Sequence, residues 1–414
     1  MTARPAPPSA VRWIVRKLEQ AGHETWAVGG AVRDALLGRP SGDWDLTTHA
    51  HPPQVRRLFR RTVPLGIEHG TVGVLARDGA LYEVTTFRRD VQTDGRHAVV
   101  AFADTLEEDL GRRDFTINAI AWHPMREELF DPFGGVEDLE QGVLRTVGDA
   151  EERFQEDYLR ILRALRFAGH FGLDIEADTW RALCGLVDHL PGLSAERIRE
   201  ELIKVLDTDR DPTRSLELYA DSGALRVLYP ELERLRLRSV ADGVSEWTLA
   251  LETARRLPIA RPDLRLASLL RGVPAADVAA LLLRLRLSNA RVDEIARLAD
   301  APVLPGPDAD HAAFRRWLST NGPSRISACA RIELARAKAM AVLGGKDCTE
   351  RVVESWRCAR AVWATGPPLD VSDLALDGRG LISLGFQPGP HFGRILDELL
   401  EWVLDDPARN RRDV

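Results

Sequence analysis

The spacing of apolar residues changes once along this chain, near residue 150, and that change limits the fold more than any other feature. Before it, short strand-like runs alternate with helical ones. "ETWAVGG" (24–30) reads as a strand entering a glycine turn, and "AVRDALLG" as the helix that follows. "DWDLTT" (43–48) reads as a second strand. "VGVLARDGALYEVTTF" (72–87) reads as a hairpin, with Asp78-Gly79 as its turn. After residue 150 strand signals vanish. "RFQEDYLRILRALRFAGHF" (153–171), "AERIREELIKVL" (195–206) and "RVDEIARLAD" (291–300) repeat apolar residues every three or four positions, the period of a helix packed on one side. Ser194 and Ser288 stand where N-caps belong. Pro/Gly-rich stretches near 304–307 and 366–368 read as linkers, and no internal repeat is found. The pattern predicts an α/β head followed by a long all-helical remainder. At 414 residues the chain is expected to form about two to four domains.

Composition excludes several classes. The N-terminal "MTARPAPPSA" has no apolar core of the kind a signal peptide needs. No apolar run approaches the ~18 residues of a membrane span. The four cysteines form no C-x-x-C pair, so they read as reduced thiols of a cytoplasmic protein, not as a disulfide frame or zinc site. A net charge of −7 argues against a non-specific nucleic-acid coat but leaves room for a local basic groove. Only four of the 56 basic residues are Lys, a bias that reads first as genome composition, although Arg is also the better fork for phosphate.

The chemistry concentrates in "GGAVRDALLGRPSGDWDLTT" (29–48). Gly29-Gly30 at a strand-to-helix turn offers backbone amides to a phosphate, and Arg33 lies one helical turn on. Asp43 and Asp45, two apart on a strand, face the same way and can share a divalent cation. Mg²⁺ suits such a site, because it takes a few carboxylates and completes its shell with substrate phosphates. No G-x(4)-G-K-[ST] occurs, so no P-loop lysine is expected. "RRDFTINA" (112–119) supplies further groups for a triphosphate and ribose, or else merely a charged helix start with Asp114 near its N-cap. "DPFGGVEDL" (131–139) reads as a turn that holds the head together. In "EDYLRILRALRF" (156–167), Asp157, Arg160, Arg163 and Arg166 recur every three residues, one polar stripe on a helix. It is either a solvated face with an i,i+3 ion pair or a template for bases. A carboxylate accepts and a guanidinium donates. An Asp157–Arg160 edge therefore matches cytosine and adenine, which offer an amino group beside a ring-nitrogen acceptor, and mismatches guanine and uracil.

Taken in order, "GGAVRD", "DWDLTT", "RRDFTINA", "DPFGGVEDL", "EDYLRILRALRF" and "ERIREEL" resemble the motifs of the class II tRNA nucleotidyltransferase/poly(A) polymerase family, densely over residues ~25–215. The resemblance implies an α/β polymerase-β-like nucleotidyltransferase head (1–145) followed by an all-α neck (146–213), body (214–325) and tail (326–414). It implies that Asp43 and Asp45 are the catalytic Mg²⁺ ligands and that Gly30, Arg33 and Arg113 contact the nucleotide. Asp157 and Arg160 become the base-reading pair, with Arg163 and Arg166 beside them and "ERIREEL" (196–202) bracing their helix. The implied reaction joins CTP and ATP to the 3′ end of tRNA, with release of pyrophosphate. A third carboxylate is usual in two-metal sites, and Glu83 on the hairpin is either that group or a solvated strand residue. The partners are tRNA, CTP and ATP, with no membrane and no protein partner implied. The segment 376–404, "LDGRGLISLGFQPGPHFGRILDELLEWVL", resembles the family's C-terminal segment; Gly389-Pro390 opening a helix there is either an ordinary loop-to-helix connection or a place where amides meet an RNA phosphate.

Some relatives in this family carry a metal-dependent phosphohydrolase domain marked by a His-Asp pair. This sequence has no His-Asp dipeptide, and "DLRLASLLRGVPAADV" (263–278) stands in its place, so no phosphohydrolase activity is expected. The catalytic motifs are shared by poly(A) polymerases and by enzymes that add only CC or only A. "RRDVQTDGRHAVVAFADTLEEDL" (88–110) reads as a full-length flexible loop, which favours CCA- or A-addition. No basic excess flanks the head to favour polyadenylation. A non-enzymatic RNA-binding protein with a dead head is disfavoured because both Asp43 and Asp45 are present.

Overall fold

The structure is a computed structural model and describes residues 4–67, 70–93 and 98–412. Residues 94–97, inside the 88–110 loop, lie outside the described residues. The chain divides into two compact units, residues 1–201 with 214–228, and residues 202–213 with 229–414.

The first unit opens with helix α1 (Ser9–Gln20), whose Val11, Ile14, Val15 and Leu18 are buried as one apolar face. It continues through β1 (Thr25–Val28), α2 (Gly30–Leu36), β2 (Asp45–Thr48), α3 (Pro52–Leu58), β3 (Thr62–Pro64), β4 (Thr71–Leu75) and β5 (Leu81–Thr86). Then come β6 (Arg88–Thr93), β7 (Ala98–Phe102), α4 (Leu106–Gly111), β8 (Ala121–His123), β9 (Glu128–Phe130) and α5 (Gly135–Gln141). Seven strands form one mixed sheet in the order β3-β4-β5-β2-β1-β8-β9, and β6–β7 pair separately. The 72–87 hairpin forms as expected, with Gly79 at φ +83° in its turn. β2 runs antiparallel to β1 and parallel to β5, which places the start of β2 beside the Gly29 turn on one flank and beside the Glu83 level of β5 on the other. The "DPFGGVEDL" loop has the structural role expected of it. Asp131 accepts from the amides of Gly135 and Val136, at 2.8 and 2.9 Å, and starts α5. Gly135 packs so tightly on the backbone of Thr116 that no Cβ would fit.

Helices follow, as the change in periodicity requires: α6 (Ala150–Glu156), α7 (Leu159–Phe171), α8 (Ala177–Leu186) and α9 (Ala195–Thr208). Two-residue strands at 143–144 and 174–175 pair in parallel and a short hairpin forms at 239–245, pieces too small for sequence periodicity to reveal. The expected single helix 153–171 is two. Asp157 ends α6 in an extended conformation (φ −157°, ψ 103°), and its Oδ1 accepts the amide of Leu159 at 3.1 Å. This local side-chain bond competes with the helical ladder. Ser194 and Ser288 both act as N-caps, accepting from the amides of Arg197 and Arg291.

Past α10 (Thr213–Asp221), α11 (Ala224–Leu228) and α12 (Pro230–Glu233), the second unit contains α13 (Glu246–Arg255), α14 (Pro262–Leu269), α15 (Ala275–Arg284), α16 (Asn289–Asp300), α17 (His311–Asn321), α18 (Ile326–Val342), α19 (Thr349–Ala364), α20 (Gly378–Ser383) and α21 (His391–Asp405). The 263–278 segment has structural duties here. Arg265 is fully buried and donates to the carbonyls of Leu206 and Asp209 at 3.0 and 2.6 Å, capping the end of α9. No helix among the described residues is long and apolar enough to cross a membrane.

Candidate active site

The site is built where β1 ends and β2 begins. Val28 pairs with Asp45, so the carboxylate sits next to Gly29. Gly29 has φ +75°, which calls for glycine, and the Arg113 guanidinium passes 2.8 Å from where a Cβ would be. Gly30 is the first residue of α2. Only Asp45 is on the hydrogen-bonded strand; Asp43 precedes it in the loop. The expected shared face nevertheless holds, because Asp43 and Asp45 are exposed while Trp44 and Leu46 between and after them are buried.

Asp45 is open to solvent yet flanked by protein on several sides. Crowding by protein, then the charge of Glu83, raise its pKa to about 6; Arg113 opposes the shift and Asp43 adds to it. Three carboxylates thus converge electrostatically with one guanidinium against them. Among the described residues no three acidic, Cys or His side chains close into a metal cage by themselves. Arg113 keeps a buried Nε without a hydrogen-bond partner, and its terminal nitrogens make only long contacts, 3.4 Å to the carbonyl of Asn118 and 3.6 Å to Asp109.

The other arginines are engaged more closely. Arg33 is buried; it donates to Asn118 Oδ1 at 2.5 Å and to Asp34 at 2.8 Å, and it stacks 4.3 Å from the ring centre of Phe171. Asn118 in turn donates to Asp114 at 2.9 Å, and Asp114 accepts from Arg163 at 2.7 Å. Asp114 is therefore no N-cap. Its burial alone would raise its pKa, but the Arg163 charge, the hydrogen bonds from Asn118 and Arg163, and the Arg160 charge outweigh that and hold it at about 2. This network joins α2, the "RRDFTINA" turn and α7. Phe115, fully buried, adds an edge contact with Phe167 at 5.9 Å.

The structure does not bring the side chains of Asp157 and Arg160 together. Asp157 Oδ2 accepts from Arg197 at 2.6 Å. Arg160 donates to the carbonyls of Arg153 and Arg112, at 3.0 and 3.1 Å, and to Glu156. Their partners differ because Asp157 lies outside the helix, so the i,i+3 geometry of a continuous helix does not apply. Arg166 donates to the buried Glu201 at 2.7 Å. Both contacts from "ERIREEL", Arg197 to Asp157 and Glu201 to Arg166, reach the segment it was expected to brace.

Sequence reasoning missed Asp109. Buried, it accepts from Thr47 Oγ1 at 3.1 Å, from the Arg88 amide at 3.2 Å and from Arg112 at 3.2 Å, tying β2 to the "RRD" turn. Its sequence context, "LEEDL", is an ordinary acidic helix start and carries no warning. Arg197 and Glu201 are four apart, a helical spacing that marks one face but not its partners.

A mixed sheet with a D-x-D edge beside a Gly-Gly turn, backed by helices, defines a nucleotidyltransferase head. Residues 25–145 match the family described as "Poly A polymerase head domain", and residues 172–235 match "Probable RNA and SrmB- binding site of polymerase A". A CCA-adding enzyme of Lactobacillus helveticus is 33% identical over 97% of this chain and 94% of its own length. A CCA-adding enzyme of Leuconostoc mesenteroides reaches 50% identity, over 50% of this chain and 51% of its own. The solved structure of the Bacillus stearothermophilus CCA-adding enzyme in complex with CTP superposes with a TM-score of 0.75 at 33% identity, covering 99% of this chain and 96% of that one. The chain belongs to the CCA-adding enzyme family.

Proposed function

We propose that this protein adds the 3′-terminal CCA to tRNA from CTP and ATP without a nucleic-acid template, releasing pyrophosphate. The full-length kinship to CCA-adding enzymes supports this most strongly, together with the Asp43/Asp45 edge beside the Gly29 turn. Asp43 and Asp45, with Glu83 at the neighbouring strand, are the groups to hold Mg²⁺. Bound there, the ion lowers the pKa of the attacking 3′-hydroxyl and offsets triphosphate charge. Asp45, deprotonated above about pH 6, keeps its oxygens available for that. Arg113 and the amide of Gly30 receive the triphosphate, while the Gly29 amide is held by the carbonyl of Ile120. Arg33, already spent on Asn118 and Asp34, acts through them by fixing α2.

Asp157 and Arg160 read the base edge. Arg197 fixes the carboxylate, and the carbonyls of Arg112 and Arg153 orient the guanidinium, so both are set before a nucleotide arrives. Arg163 and Arg166 hold α7 in place through Asp114 and Glu201. The tail, with Gly389-Pro390 opening α21 and Leu384 and Phe386 exposed nearby in sequence, carries tRNA. The four free cysteines fit work in the cytoplasm.

The test is Mg²⁺-dependent incorporation of labelled CTP and ATP into tRNA lacking its 3′ end. Each nucleotide is supplied alone and then both together. CCA addition predicts CC with CTP alone and a terminal A only when both are present. A-only, CC-only or repeated A addition would each assign the chain to a sister activity.

A further inference from the structure

The second unit contains a cavity of about 320 Å³ whose lining includes none of the residues named in the functional reading above. It is lined by residues of α18 and α19, of the connection between them, and of the stretch before α17 that reads from sequence as a linker. Leu304, Met340 and Val352 give it an apolar wall. Its size falls within the range of small-molecule sites, about 300–1,000 Å³.

The charge lining this cavity is unbalanced. Glu333 is neutralised by Arg271 at 2.5 Å, and Arg336 by Glu246 at 2.7 Å. Lys346 and Arg351 also line it, and among the described residues neither has a carboxylate partner. Asp347, beside Lys346 in sequence, is not part of the lining and accepts the amide of Thr349 at 2.8 Å. Arg351 is held against Gly306, which has no side chain where the guanidinium passes. Arg336 adds a buried Nη1 with no hydrogen-bond partner. Glu333 Oε1, paired with Arg271 but without a hydrogen bond of its own, is an acceptor in the same lining, and the two uncompensated positive charges outweigh it, so the lining favours a dianion with an apolar body. A carboxylate brings one negative charge, and so does an internal RNA phosphodiester. A phosphate monoester, with a second pKa near 6, brings nearly two at neutral pH.

We propose that this cavity binds a small organic phosphate monoester, with its phosphate on Lys346 and Arg351 and its apolar portion against Leu304, Met340 and Val352. Cys348 lines the same cavity, is partly exposed and is a free thiol, so it reports occupancy directly. The experiment is alkylation of the full chain by iodoacetamide, followed site by site by mass spectrometry, with phenyl phosphate as the probe. Cys184, in the first unit, is the internal reference.

Phenyl phosphate at about ten times its Kd should slow alkylation of Cys348 by about tenfold and leave Cys184 unchanged. Inorganic phosphate should protect less at the same concentration, and phenol not at all. The K346A/R351A double variant removes two exposed side chains. It should melt as the parent does and lose the protection. No protection at millimolar phenyl phosphate would overturn the proposal, as would equal protection in the double variant. Protection by a short RNA without terminal phosphates, but not by phenyl phosphate, would overturn it in favour of an RNA backbone contact.

Discussion

Asp45 and Asp114 belong to the same α/β unit, and their surroundings push them in opposite directions. Asp45 stands at a strand end where crowding by protein, and then the charge of Glu83, raise its pKa to about 6. Asp114 is buried, but Arg163 and Asn118 satisfy its oxygens, and its pKa falls to about 2. Burial by itself works against charge at both sites. What differs is the company. Where a carboxylate meets a complete set of donors, its charge holds structure together. Where it meets more carboxylates, the protein keeps an unbalanced charge that a cation would relieve. That contrast separates the group proposed for catalysis from the group that supports it.

The largest expected effect lies at the open end. Asp45→Ala or Asp43→Ala should fold normally, since each removes an exposed side chain and no core volume. Loss of a metal ligand should cost several kcal/mol of transition-state stabilisation, so nucleotide transfer should fall by about a thousandfold or more. Single-turnover rates at saturating Mg²⁺ measure this. Turnover near the parent's in either variant would remove the metal assignment.

Next comes the buried end. Asp114→Ala should cost about 3–5 kcal/mol of stability, because Arg163 and Asn118 are left facing a site without an acceptor. Urea unfolding measures it. The parent should also lose the Asp114 contribution on acidification. A carboxylate with a depressed pKa stabilises fully above its unfolded value near 4, and the benefit fades as pH falls toward about 2. If Asp114→Ala unfolds with the parent's midpoint and m-value, the network is ornamental and the contrast with Asp45 fails.

The sequence foretold the parts of this contrast that depend on order along the chain. The Gly-Gly turn, the D-x-D face and the 72–87 hairpin are local patterns, and all formed. What it did not foretell depends on which distant groups meet. Nothing in "RRDFTINA" says that Asp114 turns toward a helix 49 residues on. Nor does "LEEDL" reveal that Asp109 will receive bonds from Thr47 and Arg88. The helix break at Asp157 was hidden for a different reason. The apolar period runs unbroken through 153–171, yet a single side-chain bond to the Leu159 amide breaks the helix. Periodicity reports burial, and it is blind to one residue leaving the helical conformation.

That break sharpens a third expectation. Asp157 is held by Arg197 and not by Arg160, so the base-reading proposal divides into two variants. Asp157→Ala should remove the acceptor itself. Discrimination of CTP and ATP against UTP and GTP should fall by about 1–3 kcal/mol, because the wrong base no longer meets a mismatched carboxylate. Arg197→Ala should leave the acceptor present but unfixed, with a smaller loss in the same direction. Single-nucleotide addition with each of the four NTPs separates them. Unchanged preference in an active Asp157→Ala protein would place base reading elsewhere.

The smallest effect is also the one whose sign is least intuitive. Asp45→Asn, unlike the changes at Asp114, should stabilise the metal-free protein. The folded pKa of Asp45 is about 6 and the ordinary value is 3.8, so the folded state holds the extra proton between them. Stability therefore falls as pH rises through that window, and above about pH 6 the full cost of the crowded charge is present. Asparagine carries no charge, so its advantage should be absent below about pH 4 and complete above about pH 6. Solvent reaches Asp45, and screening limits the gain to about 1 kcal/mol or less. Thermal melts in chelator at pH 4 and pH 7.5 read the difference. Adding Mg²⁺ should then reverse the order at pH 7.5, since an ion that binds only the folded parent raises its melting temperature and leaves the variant where it was. A variant less stable than the parent in chelator at pH 7.5 would mean that Asp45 makes a favourable contact in the folded protein. The two aspartates would then differ in degree and not in kind.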